Sequence, residues 1–387
     1  MRLQIALFTL VKILYNTTYR MAYPFLSAFA GGLGVDLGAF SIIFTARSFT
    51  GMLGPFLAPI ADRRGRKTSM LLGLVVYVLG AGLVALWPSY LTFFAAVVLT
   101  TLGNYIFLPA MQAYLGDRVA YERRGFVLAV TETSWSLAFI VGVPLLGLLI
   151  GSSGWIAPFP ILAGLGLLLL VTLAVGMPAT PPPVMTNGAL WHSLGRVLTS
   201  RPALAALALS FSITAANESV NLVFGVWMED AFGLKLAALG AASAAIGLSE
   251  LGGEGLSGLL VDRLGKERAI RGGILLSALA ALILPWVSGN EWGALVGLFF
   301  FYMAFEFTIV SCLPLISEIL PEGRASLMAA NVAAFSLGRA AGSLLAPWLY
   351  QSLGFHANTI SALFFNLLAL AALGFIRVQR PVNEAPV

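Results

Sequence analysis

The sequence predicts an all-α membrane protein, with twelve transmembrane helices in two pseudo-symmetric six-helix bundles. Three observations carry that expectation. Of the 387 residues, 59% are hydrophobic and only 10% are charged, against about 25% charged in an ordinary soluble domain. Apolar runs of about 20 residues, enough to cross a bilayer, recur along the whole chain. The chain also repeats itself, since Asp62-Arg63-Arg64-Gly65 returns 200 positions later as Asp262-Arg263-Leu264-Gly265. The same offset pairs Glu122 with Glu322, Arg124 with Arg324, Gly142 with Gly342, Ser152 with Ser352 and Gly154 with Gly354, and sets Trp135 and Trp155 opposite Phe335 and Phe355. Such register over a whole half marks a duplicated unit.

The spans follow in order. In the first half they lie near residues 3–31, 37–60, 69–88, 90–115, 126–151 and 154–177. Span 1 is apolar but carries Tyr15, Asn16, Thr17, Thr18, Tyr19 and Tyr23; span 2 contains Arg47; span 4 carries Asn104, Tyr105 and Gln112; span 5 contains Glu132 and Pro144. Residues 179–200 interrupt the pattern with Pro181-Pro182-Pro183 and Asn187-Gly188, which favour an extended stretch, followed by a possible short amphipathic helix from Leu190 to Leu198. That segment divides the chain into an N-terminal bundle, 1–178, a linker, 179–200, and a C-terminal bundle, 201–387. The second half gives spans near 202–231, 236–260, 270–288, 291–319, 326–352 and 355–377, with Glu218, Glu250, Glu306 and Arg339 inside spans 7, 8, 10 and 11.

Basic residues orient the bundle, because Lys and Arg collect in short cytoplasmic loops. With both termini cytoplasmic, 17 of the 22 Lys and Arg fall on that side, and only Lys235 lies in an outer loop. The expected location is therefore the cytoplasmic (inner) membrane, as a multi-pass protein. The net charge of +5 reflects this asymmetry and predicts no nucleic-acid partner, which would need a soluble basic face.

Several classes are excluded. Ala28-Phe29-Ala30 resembles a leader-cleavage site, but the preceding stretch is too long and contains Lys12 and Arg20, so span 1 reads as a retained helix. One cysteine, Cys312, and two separated histidines, His192 and His356, offer neither an internal disulfide nor metal-ligand spacing. No phosphate-cradling glycine loop or dinucleotide fingerprint is present. The expectation is a protein without cofactor, metal or catalytic set.

The loop motifs carry a family resemblance. Asp62-Arg63-Arg64-Gly65-Arg66-Lys67 between spans 2 and 3, and Gly258-x-x-x-Asp262-Arg263-Leu264-Gly265-Lys266 between spans 8 and 9, resemble the loop signature of the major facilitator superfamily. The first copy departs from the usual pattern by having Ala58 in place of Gly. The resemblance covers the whole chain and implies a secondary transporter, expected to be a monomer, with spans 3, 6, 9 and 12 facing lipid. The interiors of those four spans hold no Asp, Glu, Lys or Arg.

The resemblance also implies a conformational latch, and the physics stands beside it. An Asp next to a short loop can meet the positive N-terminal end of a helix from the opposite half. Asp62 would face the start of span 11 near Ala325, and Asp262 the start of span 5 near Phe126. Arg63, Arg66, Lys67 and Arg124 could bind Asp62, Asp117 or Glu122; with Gly65, Arg263 and Gly265 these complete the expected latch set. The plain alternative is that the arginines only anchor the cytoplasmic side.

Charges inside spans point to the substrate site, because each costs roughly 2.5 to 3.5 kcal/mol at the bilayer centre unless it faces a cavity or partner. Arg20 and Arg47 sit in the first bundle, opposite Glu218, Glu250, Glu306 and Arg339 in the second. We read Glu218 and Glu306 as proton or substrate carboxylates and Arg20 and Arg47 as their counter-charges or anion contacts. Glu132, Glu250 and Arg339 are further candidates, with Asn104, Tyr105 and Asn217 as neutral contacts beside Ser212, Thr214, Asn221 and Tyr302. Glu254 is expected to pair with Arg263 or Lys266. Static ion pairs are the competing reading for each charge.

Amide and aromatic groups together suit a small amphipathic organic molecule. The favoured function is proton-coupled efflux of such a compound. Import of an organic acid with protons or sodium, and flipping of a membrane lipid, are the alternatives. Val143-Pro144-Leu145-Leu146-Gly147-Leu148 carries only part of the Gly-Pro-x-x-Gly-Gly run of exporters, and span 4 lacks an embedded Arg.

Overall fold

The computed structural model describes residues 2–53, 65–178, 190–320 and 323–376. Among these residues every regular element is helical. Among the described residues ten helices are long and apolar enough to cross a membrane, and they are spans 3 to 12. Span 3 is Arg66–Leu86, span 4 Tyr90–Arg118 and span 6 Pro158–Gly176. Span 8 is Leu236–Leu264, span 9 Lys266–Val287, span 10 Glu291–Ile319, span 11 Arg324–Leu353 and span 12 Phe355–Gly374. Span 2 is described over Leu37–Met52, so this architecture is consistent with twelve spans. Asp62 and Arg63 lie outside the described residues.

Three spans are not the continuous helices that hydropathy suggested. Span 1 is two helices, Arg2–Arg20 and Leu26–Leu33, because Pro24 lacks an N–H and its ring disfavours the helical conformation at Tyr23. Span 7 breaks at the equivalent place, between Arg201–Asn221 and Phe224–Phe232, without a proline. The two breaks abut across the halves: a Cβ on Gly225 would lie 2.7 Å from Pro24 Cα, so only glycine fits. Span 5 runs through Tyr121–Glu132, Ser134–Leu137, a π turn at Ala138–Gly142, and Val143–Ser153. Pro144 cannot donate to the preceding turn, and a one-residue slip of the ladder is a known way to absorb that loss.

The duplication is visible in the backbone. Gly65 and Gly265 have φ +84° and +83°, and Gly154 and Gly354 have +84° and +78°, conformations that disfavour any side chain. Each pair ends a loop in the same place of its half. Arg66 lies 3.5 Å from Asp117 at the end of span 4, and Lys266 pairs with Glu318 at the end of span 10. Ser89 and Asn290 cap spans 4 and 10 by accepting from the N–H of Thr92 and Gly293, each replacing a missing intrahelical partner.

Spans 6, 9 and 12 turn rows of Leu, Ile, Val and Phe outward, among them Leu168, Val175, Leu275, Leu282, Ile360 and Phe364. Lipid solvates such faces, so the helices associate instead through small residues and interhelical hydrogen bonds. Across the halves, span 2 meets span 11 where Ser41 Oγ donates to Ser343 O at 2.9 Å. Span 5 meets span 8 where a Cβ on Gly240 would stand 3.0 Å from Pro144 Cα. These cross-half contacts and the Gly225 contact lie toward the end of the bundle away from the termini. Towards the termini end, Phe126 is 74% exposed and the Glu132 side chain 53%, so the halves part there. A helix Leu190–Thr199 precedes span 7; its buried Val197 joins a core cluster with Leu327 of span 11.

Candidate functional site

Two charge networks cross between the halves at mid-depth. In the first, Arg20, at the end of the first helix of span 1, grips Glu250 of span 8 with two parallel bonds of 2.6 Å. Both side chains are 3% exposed. The guanidinium also donates to Trp135 O at 3.1 Å and lies 3.4 Å from the Phe139 ring centre and 4.2 Å from that of Trp135. Trp135 and Phe139 flank the start of the π turn in span 5, where the slipped ladder re-aims carbonyls and side chains. A bidentate, fully desolvated pair of this kind fixes orientation as well as charge.

The second network centres on Glu218 of span 7, which is wholly buried. Tyr23 Oη donates to its two oxygens at 3.1 and 3.3 Å. Ser343 Oγ donates at 3.1 Å and Asn221 Nδ2 at 3.4 Å. Arg339 Nη1 stands 3.6 Å away. Tyr23 accepts from Arg47 Nη2 at 2.5 Å, and Arg47 also donates to Tyr19 O at 2.9 Å under the Tyr19 ring, 3.8 Å from its centre. Tyr302 Oη closes the chain by donating to Asn221 Oδ1 at 2.7 Å. The break after Arg20 is what allows Tyr23 to turn toward the second half.

Symmetry does not create these charges. In the repeat register Glu218 corresponds to Thr18, Glu250 to Thr50 and Arg339 to Phe139. Thr18 instead bonds the Tyr77 hydroxyl at 2.6 Å. Arg20 and Arg47 likewise correspond to Val220 and Gly247, so the backbone is duplicated while each embedded charge of the networks belongs to one half alone.

The structure therefore brings together Arg20 with Glu250, and Arg47 with Glu218 and Arg339. Glu306 of span 10 is buried, 7% exposed, and packs against Gly253 of span 8, where a Cβ would lie 3.0 Å from Glu306 Cβ. Asn217 is buried, and its Nδ2 has no hydrogen-bond partner among the described residues. Tyr105 and Asn104 of span 4 are half-buried; the Tyr105 hydroxyl reaches the seam of spans 2 and 11, where a Cβ on Gly51 would stand 2.7 Å from it and 2.5 Å from Ser336 Oγ. Glu132 pairs with Lys12 at 2.7 Å, on the termini side of the Arg20 pair.

Several placements differ from the sequence reading. Glu254 does not reach Arg263 or Lys266: Lys266 takes Glu318, and nine helical residues put Arg263 about 13 Å along the axis. Glu254 sits among Glu250, Glu132, Arg20 and Lys12. Beside the expected latch role, which its neighbours outside the described residues leave open, Lys67 donates to the Ala174 and Met177 carbonyls at 2.6 and 2.5 Å, capping the end of span 6. Arg124 Nε likewise donates to Val119 O at 2.9 Å, which does not bear on its expected pairing with Asp62 or Glu122. Asp262 and Arg263 are exposed, and no described residue bonds Asp262; the halves are apart at that end. Trp135, Phe139 and Ser343 were missed as site residues, because a backbone carbonyl, a ring face and a lone Ser carry no sequence signal.

Among the described residues no group of His, Cys, Asp and Glu could hold a metal ion. The family model described as Major Facilitator Superfamily matches residues 8–253 and 206–387. The uncharacterised MFS-type transporter YwfA of Bacillus subtilis is 25% identical over 91% of this chain and 85% of its own. The inner membrane transport protein YdhP of Escherichia coli K12 is 25% identical over 85% and 84%, and the multidrug resistance protein MdtG of Dickeya zeae 26% over 88% and 86%. Among solved structures, a D-xylose-proton symporter superposes with TM-score 0.74 at 19% identity over 96% of both chains.

Proposed function

Since this chain belongs to the major facilitator superfamily, and so is a membrane transporter and not an enzyme, we propose that it exports a small amphipathic organic compound in exchange for protons by alternating access. The observation that carries this reading is the pair of buried networks, in which charges of one half are neutralised by the other. Moving the halves apart must give those charges new partners, and a substrate or a proton is what can supply them. Arg47, Tyr19, Tyr23, Glu218 and Arg339 form the substrate side, where aromatic faces and paired charges suit an amphipathic molecule. Glu306 carries the coupling. Asp62 with Arg63, Gly65, Arg66, Lys67 and Arg124, and the weaker set Asp262, Arg263 and Gly265, latch the termini end when it closes.

The location in the cytoplasmic membrane, with both termini cytoplasmic, is supported by the bias of Lys and Arg. Export is supported by the relation to a multidrug resistance protein. A monomer suffices, because both networks are complete within one chain. A second reading, import of an organic acid, is favoured by Arg47 and Arg339 outnumbering Glu218 in one network.

The test is substrate-induced proton movement in proteoliposomes, screening cationic dyes, organic anions and lysolipids. One class drives proton flux in the native protein, and Glu306→Gln loses that flux while still binding the compound. Flux undiminished in Glu306→Gln removes Glu306 from the coupling role, and an absence of flux with every class removes proton coupling.

Closure of the far end has its own check. With one native cysteine, Cys312, which is buried, Ser41→Cys combined with Ser343→Cys gives a selective pair. A short bismaleimide crosslinks it and stops transport by at least about tenfold, as expected if the ends must separate in each cycle. Crosslinked protein that still transports refutes a rocking mechanism.

A further inference from the structure

Span 8 continues from the first network's Glu250 into a run whose second acid the transport reading has not used, Glu250-Leu251-Gly252-Gly253-Glu254. Glu250 and Glu254 are one turn apart and share a face. Span 10 crosses closely at Gly253, where a Cβ would stand 2.6 Å from Met303 O and 3.0 Å from Glu306 Cβ. The missing side chain lets Glu306 enter beside the turn that bears both acids. Three carboxylates thus gather about one contact point.

They are not equivalent. Glu250 is consumed by the two bonds from Arg20, and Glu218 in the other network has Tyr23, Ser343, Asn221 and Arg339. Glu306 is more than nine-tenths buried, and no described residue gives it a hydrogen bond or ion pair. The charged groups facing it are Glu250 and Glu254 on span 8, Arg20 on span 1 and Arg339 on span 11. Those facing Glu254 are Glu250, Glu132 on span 5, and Arg20 and Lys12 on span 1. Arg20 is committed to Glu250, Arg339 to Glu218 and Lys12 to Glu132, so among the described residues no uncommitted cation faces Glu254 or Glu306. An unpaired carboxylate in such a setting is held neutral by a proton at far lower cost than it is held charged.

We propose that Glu254 and Glu306 together form the site that holds the transported proton, reached from water on the termini side past Glu132 and Lys12. The pair takes up one proton by forming an O–H bond on one carboxyl while the far end is open, and the proton leaves to water past Glu132 and Lys12 while the termini end is open, the direction that exchange for an exported compound requires. Glu132 is half-exposed while Lys12 is buried, so their ion pair stands where water ends and the protein interior begins. Glu218 is assigned to substrate and not to the proton. This rests on the proton-coupled reading above and divides its two carboxylates between two tasks.

The experiment needs no substrate. The native protein, purified in mild detergent, is treated with N,N′-dicyclohexylcarbodiimide, which adds only to protonated, water-poor carboxyls; the acid O–H adds across a C=N bond and rearranges to a stable N-acylurea without a leaving group. Mass mapping is expected to find the adduct on Glu254 or Glu306, at least about tenfold above Glu218 and Glu250, and falling as pH rises through the range where a desolvated carboxyl ionises. Glu254→Gln with Glu306→Gln removes it; Glu218→Gln leaves it. Label on Glu218 or Glu250 instead, or no label on Glu254 and Glu306 in folded protein at any pH, overturns the proposal. Because labelling is read without transport, an adduct at this pair with no proton flux in proteoliposomes refutes coupled transport alone, whereas flux without an adduct refutes this site alone.

Discussion

Arg20→Gln lowers the unfolding temperature sharply and abolishes transport. The substitution removes both 2.6 Å bonds to Glu250 and leaves that carboxylate 3% exposed with no cation. Breaking one partner of a buried pair costs about 3 to 5 kcal/mol, because the survivor stays desolvated, and the ring contacts with Phe139 and Trp135 are lost as well. The companion variant separates stability from function. Arg20→Met with Glu250→Met removes both charges together, and replacing a buried pair by apolar groups is often neutral or stabilising. The double variant is therefore expected to melt near the native temperature yet fail to transport, since nothing remains to exchange partners between the halves. Thermal unfolding in detergent together with proteoliposome flux decides it. A double variant that transports normally makes the Arg20–Glu250 pair a static brace.

Glu218→Ala has the second largest effect. The carboxylate accepts from Tyr23, Ser343 and Asn221 and balances Arg339, so its loss orphans three donors and a guanidinium at once. A hydrogen bond to a charged group is worth about 1.5 to 3 kcal/mol, which sets the expected fall in substrate affinity at roughly tenfold to a hundredfold. The Arg339 side chain is 19% exposed and can turn partly toward water, so the fold survives. Adding Arg339→Gln to Glu218→Ala recovers part of the stability, whereas Glu218→Gln keeps the shape, loses the charge and falls between. Equilibrium binding of the compound found in the flux screen measures all four proteins. An affinity unchanged in Glu218→Ala removes this carboxylate from the substrate site.

The second bundle shows why much of the architecture was legible. Spans 8 to 12 were placed within a few residues from apolar runs alone, because a bilayer admits only backbone that satisfies its own polar groups, and a helix is the local way to do so. Glycines of the two loop motifs could be paired from a fixed offset, and both adopt the same positive-φ conformation. Span 1 was harder. Pro24 signalled a break, but apolar content masked it, and the matching break in span 7 has no proline to announce it.

The site divides the same way. That Arg20, Arg47, Glu218, Glu250, Glu306 and Arg339 face the interior follows from cost alone, since a charge left in lipid is expensive wherever the helices meet. Partner choice does not follow. Glu254 was expected beside Arg263 and lies instead beside Glu250 and Glu306, because span 10 can approach at Gly253 and Lys266 is already taken by Glu318. The sequence by itself determined a duplicated helical membrane protein and the identity of its embedded charges, for hydropathy and desolvation act on each residue where it stands in the chain. Only the tertiary structure decided which charge neutralises which, because an ion pair depends on distances of a few ångströms between helices more than 200 residues apart, set by glycine contacts and helix breaks that no local preference encodes.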